Sequence, residues 1–242
     1  MTDDSDLHAR LKQKLEHYQP SAETIELIKN TPMLLLVGVS GAGKDSIKHE
    51  LLKTERYYHI VSHTTRPPRE NHGVIEQNGV NYHFINLETA EKMLDERAFV
   101  EAKMYSSNIY GTSVAEIQAA HNAGTIATTD IEVQGVAEYM AIDADNTKAV
   151  FILPPSYKVW QERFVKRYGG DIDQADFERR MHTARQELEH ALHTSYYHFV
   201  VNDSLPAAVA EADRIATGTQ VDTSEEIAAR LIAQELCESL LP

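Results

Sequence analysis

The run Gly38-Val-Ser-Gly-Ala-Gly-Lys44 has the spacing G-x-x-x-x-G-K. Glycines at these intervals let consecutive backbone N–H groups turn inward around phosphate oxygens. A helix beginning just after the loop adds its positive end, and the Lys44 ammonium can reach the β- and γ-phosphates of a nucleoside triphosphate. The candidate triphosphate-binding residues are therefore Gly38, Ser40, Gly41, Ala42, Gly43, Lys44, Asp45 and Ser46. A turn that is glycine-rich for steric reasons alone is the competing explanation, and the lysine together with the flanking elements weighs against it. Asp45 stands where this pattern usually carries a Ser or Thr hydroxyl facing Mg²⁺, and Ser46 follows one place later. Asp45 either approaches the metal through water or favours the first helical turn.

A second cluster is Ser62-His-Thr-Thr-Arg66-Pro-Pro-Arg69, with two arginines three residues apart on a proline-stiffened segment. Forked guanidinium groups suit bidentate contact with a phosphate dianion. A solvated basic turn is the alternative. A third is Arg163-Phe-Val-Lys-Arg167-Tyr-Gly-Gly170 followed by Arg179 and Arg180, which reads either as a cationic flap or as helix-surface charge paired with Glu162, Asp173 and Glu178.

These stretches together resemble the guanylate kinase family. Ser62–Arg69 is similar to its S-x-T-T-R-x-P-R segment, Asn78-Gly-Val-Asn-Tyr-His-Phe84 to N-G-x-D-Y-x-F, and Phe99-Val-Glu101 with Asn108-Ile-Tyr-Gly-Thr112 to F-x-E … N-x-Y-G-[ST]. Asp130-Ile-Glu-Val-Gln-Gly135 resembles [DE]-I-D-x-Q-G, Phe151–Ser156 resembles F-I-x-P-P-S, and Val200-Val-Asn-Asp203 resembles V-x-N-D, all in the family's order over about residues 31–216. The resemblance implies ATP + GMP ⇌ ADP + GDP, with dGMP as a second acceptor and Mg²⁺ as cofactor. It implies that Arg66 and Arg69 hold the GMP phosphate with the Tyr82 and Tyr110 hydroxyls. Glu101 would accept hydrogen bonds from guanine N1–H and N2–H₂, a donor pair that adenine lacks on that edge. Ser62 and Thr112 would complete the base pocket, Asp130 and Ser46 would sit near Mg²⁺, and Asn202 would lie near the donor adenine. Lys44, Arg163, Arg167 and Arg180 would be the catalytic cations, the arginines forming a lid that excludes water.

Two features depart from the family pattern. Position 132 carries Glu132 where the family has Asp touching the guanine, which lengthens the carboxylate's reach by about 1.5 Å. The spacer between Arg69 and Tyr82 is also longer by a few residues and should bulge a loop. Two other readings share parts of the pattern. A kinase for a phosphorylated sugar is suggested by Gly43-Lys-Asp-Ser46, but Glu101 and the tyrosines would then have no guanine edge to satisfy them. A catalytically silent binding module would typically lack the loop lysine, which is present.

The elements that must position these residues follow from hydrophobic periodicity. Met33–Val37 is wholly apolar and predicts a strand covered on both faces, followed by a helix through Ile47, Leu51 and Leu52. Further strands are predicted at Tyr58–Val61, Thr125–Val133, Ala149–Leu153 and His198–Val201, and a polar stretch runs from Thr64 to Asn81. Helices are predicted at Leu87–Arg97, Val114–Asn122, Tyr157–Tyr168, Phe177–His193 and Ala207–Ile215. Alternating strands and helices imply an α/β fold with a mainly parallel sheet, of the P-loop NTPase type, carrying a small GMP-binding subdomain and a helical lid. Residues 1–30 form a helical extension, with Leu7, Leu11 and Leu15 on one face and a helix start at Ser21. Residues 31–217 form the kinase-like domain, with a core at 31–62 and 113–217, the GMP-binding part at about 63–112 and the lid at about 163–180. Residues 218–242 form a second helical extension patterned through Ile227, Leu231 and Leu236. Either extension leaves room for a homodimer contact.

The 242 residues are 42% hydrophobic and 25% charged, ordinary for a globular chain. With 37 acidic and 23 basic side chains the net charge is −14, which argues against a dedicated nucleic-acid coat but not against a small phosphorylated ligand. Cys237 is the single cysteine, and the twelve histidines lack ligand spacing, which fits a reducing cytosol and gives no zinc signature. The start is acidic where a signal peptide is basic and then apolar, and Met33–Val37 is too short to span a bilayer. The expectation is a soluble cytoplasmic enzyme with no membrane partner.

Overall fold

A computed structural model describes residues 2–71, 73–105, 107–168, 173–219 and 223–240. In chain order its elements are α1 (Thr2–Glu16), α2 (Ala22–Lys29), β1 (Met33–Val37), α3 (Lys44–Leu52), β2 (Tyr57–His59), β3 (His63–Thr64), β4 (Glu70–Asn71), β5 (Val74–Ile75) and β6 (His83–Phe84). There follow α4 (Leu87–Asp95), β7 (Phe99–Tyr105), β8 (Asn108–Ser113), α5 (Val114–Ala123), β9 (Ile126–Asp130) and α6 (Val133–Ile142). The chain closes with β10 (Thr147–Leu153), α7 (Tyr157–Tyr168), α8 (Gln174–Leu192), β11 (Tyr197–Val201), α9 (Leu205–Ala216) and α10 (Thr223–Glu238). Two compact units are distinguished: Met1–Thr31 with Tyr58–Ala127, and Pro32–Tyr57 with Thr128–Pro242. Among the described residues no helix is long and apolar enough to cross a membrane.

The main sheet has the order β11-β10-β1-β9-β2. Strand β1 pairs parallel with β10, Met33 opposite Thr147 through Val37 opposite Phe151, and β10 pairs parallel with β11. All five residues of β1 are buried, as an uninterrupted apolar run requires when both sheet faces are covered. Helices α3, α9 and α10 pack in this unit, and α10 lies on β11 and α8. Arg230 of α10 stacks over the Phe199 ring at 5.2 Å and donates to the Leu192 carbonyl at the end of α8.

The buried face of α10 differs from the one its large apolar residues predict. Ala229, Ala233 and Leu236 are buried, whereas Ile227 and Leu231 are more than half exposed. Alanines let the helix axis approach β11 and α8 closely, and Arg230 next to Ala229 fixes the rotation.

The other unit holds a four-stranded sheet of order β6-β3-β8-β7, with β3–β8 and β7–β8 antiparallel and β3–β6 parallel. Strands β7 and β8 were not among those expected from periodicity. Their period-two alternation, Val100, Ala102 and Met104 against Glu101, Lys103 and Tyr105, is the signal that marks β7. The longer spacer after Arg69 is an antiparallel hairpin, β4–β5, rather than an irregular bulge. Strand β9 ends at Asp130, short of the expected Val133, because helix α6 begins there with Glu132 at its N-cap. Ser21 caps α2 by accepting from the Thr24 N–H at 3.1 Å, as its position predicts.

Leu236→Ala should cost about 2–5 kcal/mol, whereas Leu231→Ala should stay within about 0.5 kcal/mol. Urea unfolding of the two variants checks which face of α10 is packed.

Candidate active site

The phosphate loop hangs between β1 and α3 and is fixed by contacts that only glycine permits. Gly38 adopts φ +136°, and a Cβ there would lie 2.3 Å from the Ile152 carbonyl oxygen of the adjacent strand. Gly43 adopts φ +98°, and a Cβ would fall 2.2 Å from Asn202 Nδ2. From outside the loop, Trp160 Nε1 donates to the Ser40 carbonyl at 2.7 Å and Asn202 Nδ2 donates to the Ala42 carbonyl at 2.9 Å. Trp160 and Asn202 are both buried. The Lys44 ammonium donates to the carbonyls of Gly38 and Val39.

A cavity of about 420 Å³ opens over this loop and is lined by Gly41, Gly43, Lys44, Asp45, Ser46, Arg163, Asn202, Asp203 and Leu205. Arg163 donates to the Asn202 carbonyl at 2.9 Å. Of the candidate loop residues, Gly41, Gly43, Lys44, Asp45 and Ser46 thus border one space with Arg163 and Asn202, joined by Asp203 and Leu205, whereas Gly38, Ser40 and Ala42 do not line it. Arg180 lies on α8 with its Nε 2.8 Å from Asp176, which also pairs with Arg179 at 2.9 Å. Arg167 is on α7 with its side chain outside the described residues, and Gly169 and Gly170 also lie outside them.

At the end of β9, Asp130 is ion-paired with Lys48, whose ammonium is also 3.9 Å from Asp45. Burial works to raise the Asp130 carboxyl, and the Lys48 and Lys44 ammoniums outweigh it, holding the group below its usual range. Lys48 was not expected from motif reading, although it stands one helical turn beyond Lys44 on the same face of α3. Glu132 is exposed at the start of α6.

The acceptor-side residues lie in the unit that contains β3 and β6–β8. Arg66 is buried, and its guanidinium meets Glu76 in a forked pair, at 2.8 and 3.0 Å. Its charge stands over the Tyr82 ring at 5.3 Å, and the Tyr82 and Tyr110 rings are 6.1 Å apart edge to face. Arg66 Nε is buried without a hydrogen-bond partner. The Arg69 N–H donates to Glu76 at 2.8 Å, and Arg69 itself is exposed. The Arg66 guanidinium holds the Glu76 carboxyl below its ordinary range against the opposing effect of burial. Glu76 was missed in the sequence because its pairing depends on the β4–β5 hairpin bringing it back to Arg66. Strand pairing sets Glu101 of β7 opposite Thr112 of β8, and Glu101 Oε1 accepts from the Thr112 N–H at 3.1 Å. Ser62 is half-buried at the entrance to β3, where its carbonyl accepts from the His83 N–H at 2.9 Å.

Arg66, Tyr82 and Tyr110 are therefore one cluster, and Glu101 with Thr112 another. The first is a guanidinium beside aromatic rings, already forked onto Glu76 and with its Nε unpartnered, so a phosphate bound there competes with Glu76 for it. The second is a carboxylate already steadied by one backbone donor, which suits a ligand edge rich in N–H groups.

The family model described as guanylate kinase matches residues 30–217. The guanylate kinase of Chromohalobacter salexigens is 38% identical over 173 residues, covering 71% of this chain and 76% of that one. Those of Mannheimia succiniciproducens and Schizosaccharomyces pombe are each 32% identical, covering 84% and 80% of this chain and 98% and 94% of theirs. In fold, the chain is similar to the crystal structure of guanylate kinase from Anaplasma phagocytophilum, with a TM-score of 0.58 at 22% identity, covering 86% of this chain and 94% of that one. With a family match across most of its length and relatives of this identity, the chain belongs to the guanylate kinase family.

Proposed function

We propose that the chain is an ATP:GMP phosphotransferase. The observation that carries this reading is that a chain of this family holds two separate clusters suited to anions: a glycine loop with Lys44, and the buried Arg66 over the Tyr82 ring with its Nε unpartnered. In the reaction an oxygen of the GMP phosphate forms a bond to the γ-phosphorus of ATP as the bond from that phosphorus to the β–γ bridging oxygen breaks. Donor and acceptor are both anionic, so the protein's task is to neutralise and align them; no general base is required.

Lys44 and the inward-facing loop amides hold the β- and γ-phosphates, and Arg163 with Arg167 and Arg180 supplies further positive charge as the donor is enclosed. Asn202 steadies the loop through Ala42 while bordering the same cavity. Arg66 and Arg69 hold the GMP phosphate with Tyr82 and Tyr110. Glu101, Ser62 and Thr112 receive the guanine, and Glu132, where the family has Asp, carries a carboxylate that reaches further than an aspartate would. The family match to 30–217 supports reading 1–30 and 218–242 as helical extensions of a kinase domain.

Among the described residues, no group of three or more His, Cys, Asp or Glu side chains could hold a metal by itself. The Asp130 carboxylate and Ser46 hydroxyl are hard oxygen donors and suit Mg²⁺, which commonly binds through one or two protein oxygens together with substrate phosphates. When bound there, Mg²⁺ would neutralise charge on the β- and γ-phosphates.

Glu187 of α8 is a neighbour of this machinery that motif reading did not single out. Burial pushes its carboxyl up to about 7, opposed by Lys44 and reinforced by Glu132. Its ordinary value of 4.5 applies in the unfolded chain. Between these limits the folded chain keeps a proton that the unfolded chain releases, so stability from this group falls as pH rises from about 4.5 to about 7 and then levels.

Lys44→Ala should lower kcat by about 10²-fold or more with an unchanged circular dichroism spectrum. A coupled assay for ADP formation, run with GMP, dGMP, IMP and AMP, should favour the guanine nucleotides. Absence of turnover with every acceptor would overturn the reading. Glu101→Gln should erode the preference for GMP over AMP by about 10-fold or more, and an unchanged preference would remove Glu101 from the base pocket. Glu187→Gln should raise the urea midpoint relative to the parent at pH 8 and leave it unchanged at pH 4.5.

A further inference from the structure

The segment before the family match contributes to the strand that carries Glu101. Tyr18 follows α1, and its hydroxyl serves both backbone groups of one residue: it donates to the Phe99 carbonyl at 2.6 Å and accepts from the Phe99 N–H at 3.0 Å. Strand β7 is the edge of its sheet, so among the described residues no second strand pairs with its outer side. At this point the β7–β8 pairing shifts register: Phe99 is opposite Ser113, yet Glu101 is opposite Thr112, leaving Val100 as the extra residue. Such a bulge turns the strand and re-aims the side chains that follow it. Glu101 is the first paired residue after the bulge.

Helix α1 is anchored where it must be to hold Tyr18 there. Leu7 and Leu11 are buried in one apolar cluster with Ala90, Leu94, Phe99 and Ala102. On its polar side, Arg10 pairs with Glu91 at 3.2 Å, and Lys14 pairs with both Glu91 and Asp95. The extension is thus seated on α4 and β7 by apolar and ionic contacts, and Tyr18 ends it against the bulge.

We propose that Tyr18 is a positioning residue for base selection: its hydroxyl fixes the Phe99 bulge and thereby the aim of the Glu101 carboxylate. This rests on the reading of Glu101 as the group that receives the guanine edge. A carboxylate accepting from N1–H and N2–H₂ together must be held in one orientation, since a small displacement keeps one bond and loses the other. IMP has the N1–H and lacks the 2-amino group, so the ratio of kcat/KM for GMP to that for IMP reports the second bond alone.

The test is Tyr18→Phe, which keeps the ring in the cluster and removes the hydroxyl. The expected result is a GMP/IMP ratio lowered by about 3–10-fold, the loss of one neutral hydrogen bond, with KM for GMP raised and KM for ATP unchanged. Amide hydrogen exchange at Phe99 should quicken in the same variant. Glu101→Gln is the control and should collapse the ratio. If it does so while Tyr18→Phe leaves the ratio within twofold of the parent, the positioning role is wrong and the base-pocket reading survives. If Glu101→Gln also leaves the ratio intact, the base-pocket reading itself has failed. Equal losses on GMP and IMP would reduce Tyr18 to a stabilising contact and overturn the proposal. Should Tyr18→Phe not fold, Arg10→Gln/Lys14→Gln, which loosens α1 from α4, must lower the ratio in the same direction, or the proposal falls.

Discussion

A loop that turns its own amides toward an anion must give up the conformations that side chains prefer, and the rest of this architecture follows from that. Gly38 and Gly43 hold positive φ with no room for a Cβ, so the loop needs bracing from outside besides its own hydrogen bonds. Its support comes from three directions: the Ile152 backbone of β10, the Trp160 indole of α7 and the Asn202 amide after β11. The first two belong to β10 and the helix that follows it and the third to the connection after β11, and they converge because β1 is flanked by β10 in a parallel sheet that carries β11 beyond it. Parallel order places the carboxyl ends of these strands on one side, where the loops after them meet. The buried strand is therefore the means by which distant segments brace seven residues.

Charge is the second organising term. A chain with net charge −14 gathers anions only where it concentrates cations, and the basic groups here are held by carboxylates of their own unit. Arg66 is forked onto Glu76, Lys48 is paired with Asp130, and Arg180 is paired with Asp176. Such pairs set the orientation of long side chains before any ligand arrives, which reduces the ordering cost of binding. They also set competition: an incoming phosphate gains most where the cation retains an unsatisfied donor, as Arg66 does at Nε. Lys44 follows another route, since its ammonium donates to the carbonyls of Gly38 and Val39.

What could be read before the structure divides along the same physical lines. Local signals were legible: the apolar run of β1, the loop glycines, the Ser21 cap, and α7, whose observed bounds coincide with the expected Tyr157–Tyr168. Glu76 and Lys48 were not, because each pairs with a residue brought near by a hairpin or by a strand end, and no spacing rule encodes that. Strand β7 was readable in principle from Val100, Ala102 and Met104, but Glu101 between them stood out as a candidate base contact rather than as part of a strand's polar face. On α10 the error ran the other way. Ile227 and Leu231 looked like the packed stripe because they are large, whereas the sheet accepted Ala229 and Ala233, where small size permits close approach. Side-chain volume predicts how much burial a residue would gain, and backbone approach decides which residues receive it.

Edge strand β7 is where α1 meets the second sheet. A strand at a sheet edge leaves a row of backbone donors and acceptors without a strand partner. A single phenol placed on Phe99 satisfies one N–H and one C=O, while the Glu101 carboxylate beyond the bulge accepts from the Thr112 N–H of β8. The buried Leu7 and Leu11 give that hydroxyl a rigid support, so the cost of ordering it is met by apolar burial on α1 rather than by the strand itself. On this account the segment preceding residue 30 is not an ornament on the family fold. It supplies the hydrogen-bond partner for one residue of the edge strand, Phe99, directly before the β7–β8 bulge.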